Sequence, residues 1–290
     1  MIKEAETMPQ DADWASYLDA RRAALHGCAD AQAAATSIGR AKARLRTYFG
    51  LEPDEAHVQA RRCLLFSGDA AFHDQFLASG PTGLLRTLIE KTEADHPTFR
   101  RDRSRGAVLV SLHYGPATSM LPLWFAMGSE RGLIPTFAVI QNSKNNPNVV
   151  LSAERHAELV DAGFPFVDLD IARLGEVGAL RRALGILKDG GMVLIFADGQ
   201  LPQPSAKRAM TCRLGRGSLV LAHGAGWLAR CADVPLRPIL LQPKGDGHRL
   251  MSLPGVRPDQ ASFAIQALLD AAMACDLAQW SRWCCSAEHL

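Results

Sequence analysis

Gly106-Ala107-Val108-Leu109-Val110-Ser111-Leu112-His113-Tyr114-Gly115-Pro116 is the stretch that decides the fold. A run of aliphatic and β-branched residues with no charge is the pattern of a strand buried on both faces. Gly115-Pro116 then forces a turn, and Thr118–Met127 reads as a short helix. The uncharged run from 106 to 129 approaches the length that spans a bilayer, ~20 residues. His113, Gly115-Pro116 and Pro122 interrupt it, so it reads as strand, turn and helix.

Downstream the same alternation repeats. Strands are predicted at Leu133–Val139, Phe166–Leu169, Met192–Phe196, Leu236–Leu241 and Arg249–Leu253. Helices are predicted at Val149–Ala162, Val177–Lys188, Ser218–Cys231 and Phe263–Asp276. Strands alternating with helices predict an α/β fold, a central mixed sheet flanked by helices. Upstream, residues 11 to about 95 look helical throughout. The division is therefore a helical N-terminal region, 1–105, packed on an α/β domain, 106–290. Arg40 with Arg44, and Lys42 with Arg46, form two cationic stripes on one helix, read as a solvated face in preference to an anion-binding one. Arg100, Arg101, Arg103 and Arg105 crowd the linker before the first strand.

Composition narrows the classes. In 290 residues, 48% are hydrophobic and 21% charged, which excludes a disordered chain, a coiled coil and a collagen repeat. A net charge of +2 gives no ground for a nucleic-acid-coating surface. Seven cysteines, with no Cys-x-x-Cys, make neither a disulfide framework nor a zinc site, and suggest reduced thiols in the cytoplasm. No His-x-x-x-His spacing points to a metal; His223 is read as a core residue of an apolar helix. Met1–Gln10 has no apolar core, so neither a signal peptide nor a transmembrane anchor is expected there. Peripheral membrane contact stays open.

Three places carry chemistry. His113 ends the first strand, where ligands of α/β sheets bind, and an imidazole held there suits a general base; the alternative is a strand-end cap. Asp198, in Ala197-Asp198-Gly199-Gln200, ends another apolar strand. It could orient a histidine or bind substrate, or simply form a turn. Cys212-Arg213-Leu214-Gly215-Arg216-Gly217-Ser218 precedes an expected helix, with Ser218 as N-cap and Arg213 and Arg216 placed for an anion or for solvent in equal measure. No phosphate loop and no Gly-x-Ser-x-Gly elbow occurs.

In order along 106–285, these blocks resemble the late acyltransferases of lipid A biosynthesis, the lauroyl and myristoyl transferases of the lysophospholipid acyltransferase superfamily. Val108-Leu109-Val110-Ser111-Leu112-His113 resembles the strand leading to that family's His-x-x-x-x-acid motif. Ala179–Leu184 with Gly190-Gly191-Met192-Val193 resembles the segment before its Asp-Gln pair, for which Asp198-Gly199-Gln200 would stand with a glycine inserted. Leu214-Gly215-Arg216 and Val234-Pro235-Leu236-Arg237-Pro238 resemble its later blocks, and Gln279-Trp280-Ser281-Arg282-Trp283 its C-terminal Trp-x-Trp segment.

The resemblance implies a glycerolphosphate-acyltransferase-like fold and transfer of an acyl group from a thioester, on acyl carrier protein or coenzyme A, to a hydroxyl or amine. The thioester is the co-substrate, and no tightly bound cofactor is implied. His113 would be the base, with Tyr114, Thr118, Gln200 and Arg216 lining the substrate sites, and backbone N–H groups near Gly115 as oxyanion donors. Two departures matter. Thr118 stands five residues after His113, where the family has its acid, so His113 acts without the acid, or another carboxylate, Asp198 first, replaces it, or the chain only binds acyl groups. The N-terminal region lacks the family's apolar anchor, which suggests a small, soluble acceptor, as in specialised biosynthesis, and a cytoplasmic protein. The alternatives are a non-catalytic acyl-chain or carrier-protein binding module, and an acyl-thioester hydrolase.

Overall fold

The computed structural model describes residues 13–26, 31–94, 106–132, 134–144, 151–199, 209–245 and 247–284. The chain opens with α1 (Trp14–His26), α2 (Ala31–Phe49), α3 (Pro53–Ser79) and α4 (Thr82–Glu90). A two-residue strand β1 (Glu93–Ala94) follows, then β2 (Ala107–Ser111), α5 (Ala117–Glu130), β3 (Phe137–Gln141), α6 (Ala153–Asp161), β4 (Val167–Asp170), α7 (Ile171–Lys188) and β5 (Met192–Phe196). The remainder is β6 (Ala209–Leu214), β7 (Gly217–Ala222), α8 (Gly224–Ala232), β8 (Leu236–Lys244), β9 (Gly247–Ser252) and α9 (Ala261–Asp276), ending in short 3₁₀ turns.

Seven strands form one mixed sheet in the order β1-β9-β8-β2-β5-β3-β4. β8, β2, β5, β3 and β4 run parallel, and β9 closes the other side antiparallel to β8. The protein is thus the α/β fold that the alternation predicts. β2 lies in the middle and all five of its residues are buried. Its side chains alternate between two apolar layers, Val108 and Val110 on one side and Ala107 and Leu109 on the other. α7, α8 and α9 cover the first layer; α4 and α5 cover the second. The long helix α3 belongs to both. Ala56, Ala60 and Cys63 from its first half enter one layer, and Phe72, Phe76 and Leu77 from its second half the other. It also packs on α5 and on the C-terminal 3₁₀ turns.

Four sequence expectations change. Ser218–Cys231 is not one helix: Gly217–Ala222 is strand β7, paired with β6 in a hairpin, and α8 begins at Gly224. The deciding signal is period two, with Leu219 and Leu221 buried and Val220 exposed. Gly215, at φ 55°, sits first in the two-residue turn, as a II′ hairpin requires. Ser218 therefore caps nothing, and the arginines beside it do not flank a helix N-terminus. His223 is at the N-cap of α8 and not within a helix. Arg44 is not on a solvated face; its guanidinium donates to the carbonyls of Arg282 (2.8 Å) and Trp283 (3.0 Å). The arginines at 100, 101, 103 and 105 lie outside the described residues. Pro258–Gln279 is apolar and long enough to cross a membrane by length and composition alone; Ala264, Ile265, Leu268 and Leu269 of α9 are buried in the core, while Phe263 is exposed.

Candidate active site at the carboxyl ends of β2 and β5

The sheet register builds the site. β2 and β5 are parallel neighbours with Ser111 opposite Phe196. Two residues further on, His113 comes opposite Asp198, just past the strands. Ala197 still donates its N–H to the Ser111 carbonyl (2.9 Å), so the ladder holds up to that point. His113 Nδ1 and Asp198 Oδ1 are 2.8 Å apart. The His113 backbone N–H also donates to the Asp198 carboxylate, at 3.0 and 3.1 Å to its two oxygens. The Phe196 ring lies beside the imidazole, centroids 4.8 Å apart.

The Asp198 side chain is 1% exposed and that of His113 22%. A buried carboxylate needs full compensation, and the C-terminal segment supplies it. Trp280 Nε1 donates to Asp198 Oδ2 at 2.7 Å, Arg282 Nε lies 3.7 Å from the same oxygen, and the Arg282 guanidinium also donates to the Asp198 carbonyl. Burial by itself would raise the Asp198 pKa. The charge and hydrogen bond of His113, then Arg282 and Trp280, outweigh it and hold the carboxyl well below the ordinary range. A fixed anion on Nδ1 selects the tautomer with its proton there, leaving Nε2 as the basic nitrogen. Nε2 has no hydrogen-bond partner among the described residues.

The segment bearing Trp280 is itself stitched to the turn after His113. Gly115 N–H donates to Gln279 O (2.9 Å), Ser281 N–H donates to His113 O (3.0 Å), and Tyr114 bridges Trp280. Gly115, at φ 54°, makes this turn possible. On α3, burial pushes the Asp74 carboxyl up to about 7, against smaller opposing effects of Ser119 and His113.

The sequence-predicted residues separate. His113 and Asp198 come together. Tyr114 does not line the site: it is fully buried and its hydroxyl donates to the Asp276 carbonyl at 3.0 Å. Arg216 is on the hairpin turn, its N–H bonded to Tyr48 O (2.6 Å) and its guanidinium over Gly50, in a groove along the end of α2 with Arg46 and Glu52; no described contact joins it to the dyad. Thr118 is in the first turn of α5, half-buried. Gln200 lies outside the described residues. Sequence reasoning missed Trp280 and Arg282 as the partners of Asp198. Both stand in the segment that carried the family resemblance, which was the available signal.

No protein-family model matches the chain, and no curated protein matches it. Among solved structures, it is similar to the crystal structure of the 1-acyl-sn-glycerophosphate (LPA) acyltransferase, PlsC, from Thermotoga maritima, with a TM-score of 0.41 and 16% identity over 80% of this chain and 86% of that one.

Proposed function

We propose that this protein is an acyltransferase that moves an acyl group from a thioester, on acyl carrier protein or coenzyme A, to the amine or hydroxyl of a small, soluble acceptor in the cytoplasm, with no other cofactor. The observation that carries the reading is the 2.8 Å contact between His113 and a buried, ionised Asp198, with Nε2 left open. An alcohol or amine attacks a carbonyl well only as its proton is removed. His113 Nε2 takes that proton as the new bond forms, and Asp198 stabilises the resulting imidazolium. The imidazolium returns the proton to the departing thiolate. Asp198 thereby does, from the neighbouring strand, the work that Thr118 cannot do.

The test is intact-mass screening of acyl carrier protein and coenzyme A thioesters against pooled amines and alcohols, with wild-type protein and His113→Ala. Product should form with wild type and fall about 10³-fold or more in the variant. Free acid alone, with acceptors present, would make the protein a hydrolase. Thioester binding with no turnover would make it a binding module. Undiminished product from His113→Ala overturns the assignment of the base.

A further inference from the structure

The imidazole is held only as firmly as the carboxylate that orients it. Asp198 divides its two side-chain oxygens. Oδ1 meets His113 Nδ1 at 2.8 Å, and Oδ2 takes the Trp280 indole N–H at 2.7 Å. Turning the carboxylate would break the second bond, so Trp280 decides where Oδ1 points. Trp280 is itself held from two sides. One side is the turn after His113, described above. The other is helix α2 of the N-terminal region. Arg44 Nη1 donates to the carbonyls of Arg282 and Trp283, 2.8 and 3.0 Å away, in the short 3₁₀ turn Ser281–Trp283 that follows Trp280. Further along α2, Tyr48 and Phe49 lie against the buried Trp283 ring, with centroids 6.2 and 5.8 Å away, and Trp283 meets Trp280 edge to face at 4.9 Å. A continuous path of contacts therefore runs from α2 through Trp283 and Trp280 to Asp198 and the imidazole.

We propose, resting on the acyl-transfer reading above, that Arg44 is a positioning residue for the His113–Asp198 pair: from α2 it holds the 281–283 turn where the Trp280 indole stays on Asp198 Oδ2. The residue type fits the task. Both bonds come from one guanidinium nitrogen, whose two hydrogens lie in a fixed plane and meet two carbonyls at once. A lysine ammonium in the same place is a mobile, strongly hydrated point donor, and holds such a pair of acceptors less well. The arrangement also gives the N-terminal helices a part in the chemistry. His113, Asp198 and Trp280 all belong to the α/β part of the chain, and α2 supplies the group that fixes their geometry. Without Arg44, the turn is left to ring packing and to its bonds with the His113 turn, and Asp198 gains freedom to rotate. A remote change that displaces a catalytic group by about 1 Å costs about 10²-fold in rate. A loss of this kind falls on kcat and spares KM.

In Arg44→Met, kcat per folded molecule should fall about 10²-fold with the KM for thioester unchanged. Arg44→Lys should recover part of that loss, and Trp280→Phe should reproduce it. Tyr17→Phe breaks the buried bond to His73 and none of these contacts, so it shows what a purely structural loss does, and its kcat should hold. Unchanged kcat in Arg44→Met, or a fall matched by Tyr17→Phe, overturns the proposal. Proton NMR reads the same coupling without turnover. The Trp280 indole N–H, identified by its absence in Trp280→Phe, should be protected from solvent exchange in wild type. Arg44→Met should lose about 10-fold or more of that protection; unchanged protection overturns the proposal as well. If wild type turns over no thioester, the transferase reading fails, and the indole N–H alone decides the part played by Arg44. Should Arg44→Met not fold, judged by circular dichroism, Arg44→Lys carries both measurements. Intermediate losses are then expected, and wild-type values overturn the proposal.

Discussion

Among the described residues two histidine–aspartate pairs are in contact, His73 with Asp69 and His113 with Asp198, and they differ in what is left over once each is satisfied. His73, on α3, has both nitrogens occupied: Nε2 meets the Tyr17 hydroxyl at 2.9 Å and Nδ1 the Asp69 carbonyl at 2.7 Å. The Asp69 carboxylate is held bidentate by Arg21 at 2.7 and 2.9 Å. Nothing remains to bind or react, and the network pins α1 to α3. His113 has one nitrogen tied to Asp198 and the other open, at the carboxyl edge of a parallel sheet. The residue types are the same. A spare nitrogen on a partly exposed ring, against a buried ring with both nitrogens occupied, is what separates the two.

Asparagine at each aspartate should break the comparison most visibly. Asp198→Asn should cut turnover by about 10³- to 10⁴-fold, because the amide no longer fixes the Nδ1–H tautomer or stabilises the imidazolium. Asp69→Asn should leave turnover per folded molecule unchanged. It leaves Arg21 buried without its anion, and should cost about 3–5 kcal/mol of stability in urea unfolding. If the two variants exchange phenotypes, the assignment of the reactive pair is wrong.

A smaller effect is expected from Tyr17→Phe, which leaves His73 Nε2 without a partner. It should cost about 1–3 kcal/mol, seen as a drop in melting temperature with unchanged amide or ester formation.

The gentlest probe is pH. Burial keeps His73 below its ordinary pKa, and His248, whose two nitrogens are unpartnered against the His73 ring, well below it. Arg21 adds to this at both rings, His73 adds to it at His248, and Asp69 opposes it at His73. The unfolded chain takes up protons on these two groups below about pH 6.5 while the folded chain does not. Their contribution to stability is therefore greatest above that pH and is lost on acidification, at about 1.4 kcal/mol per pH unit for each group. Asp74 acts with the opposite sign: its raised carboxyl makes the folded state hold an extra proton up to about pH 7. Urea midpoints measured from pH 7.5 to 5 should fall in wild type and fall more steeply in Asp74→Asn.

The sheet was legible because its strands are buried on both faces. Val108–Val110 and Val193–Ile195 can be read as strands from side-chain type alone, and pairing them in parallel register brings His113 opposite Asp198. The hairpin of β6 and β7 was not legible, since Leu219, Val220 and Leu221 fit a helix until the alternating burial is seen. Arg213 and Arg216 looked like anion ligands or solvent residues beside an expected helix N-terminus; that N-terminus, and Ser218 as its cap, fell with the helix. Tyr114 looked like a lining residue from adjacency to His113, but successive side chains beyond a strand point in different directions, and its ring went into the core. Trp280 and Arg282 lie far from the dyad along the chain and meet it only through tertiary packing, which no local pattern encodes.

The donors that hold Asp198 come late in the order of synthesis. Trp280 follows Asp198 by 82 residues, and the Tyr114–Asp276 bond spans 162. A growing chain emerging from the ribosome can assemble the strands that bear His113 and Asp198 while their anchoring clasp has yet to be translated. Until Trp280 and Arg282 arrive, the aspartate lacks half of its support, so the His113–Asp198 pair in a nascent chain with a formed sheet is fully anchored only as the last turns dock.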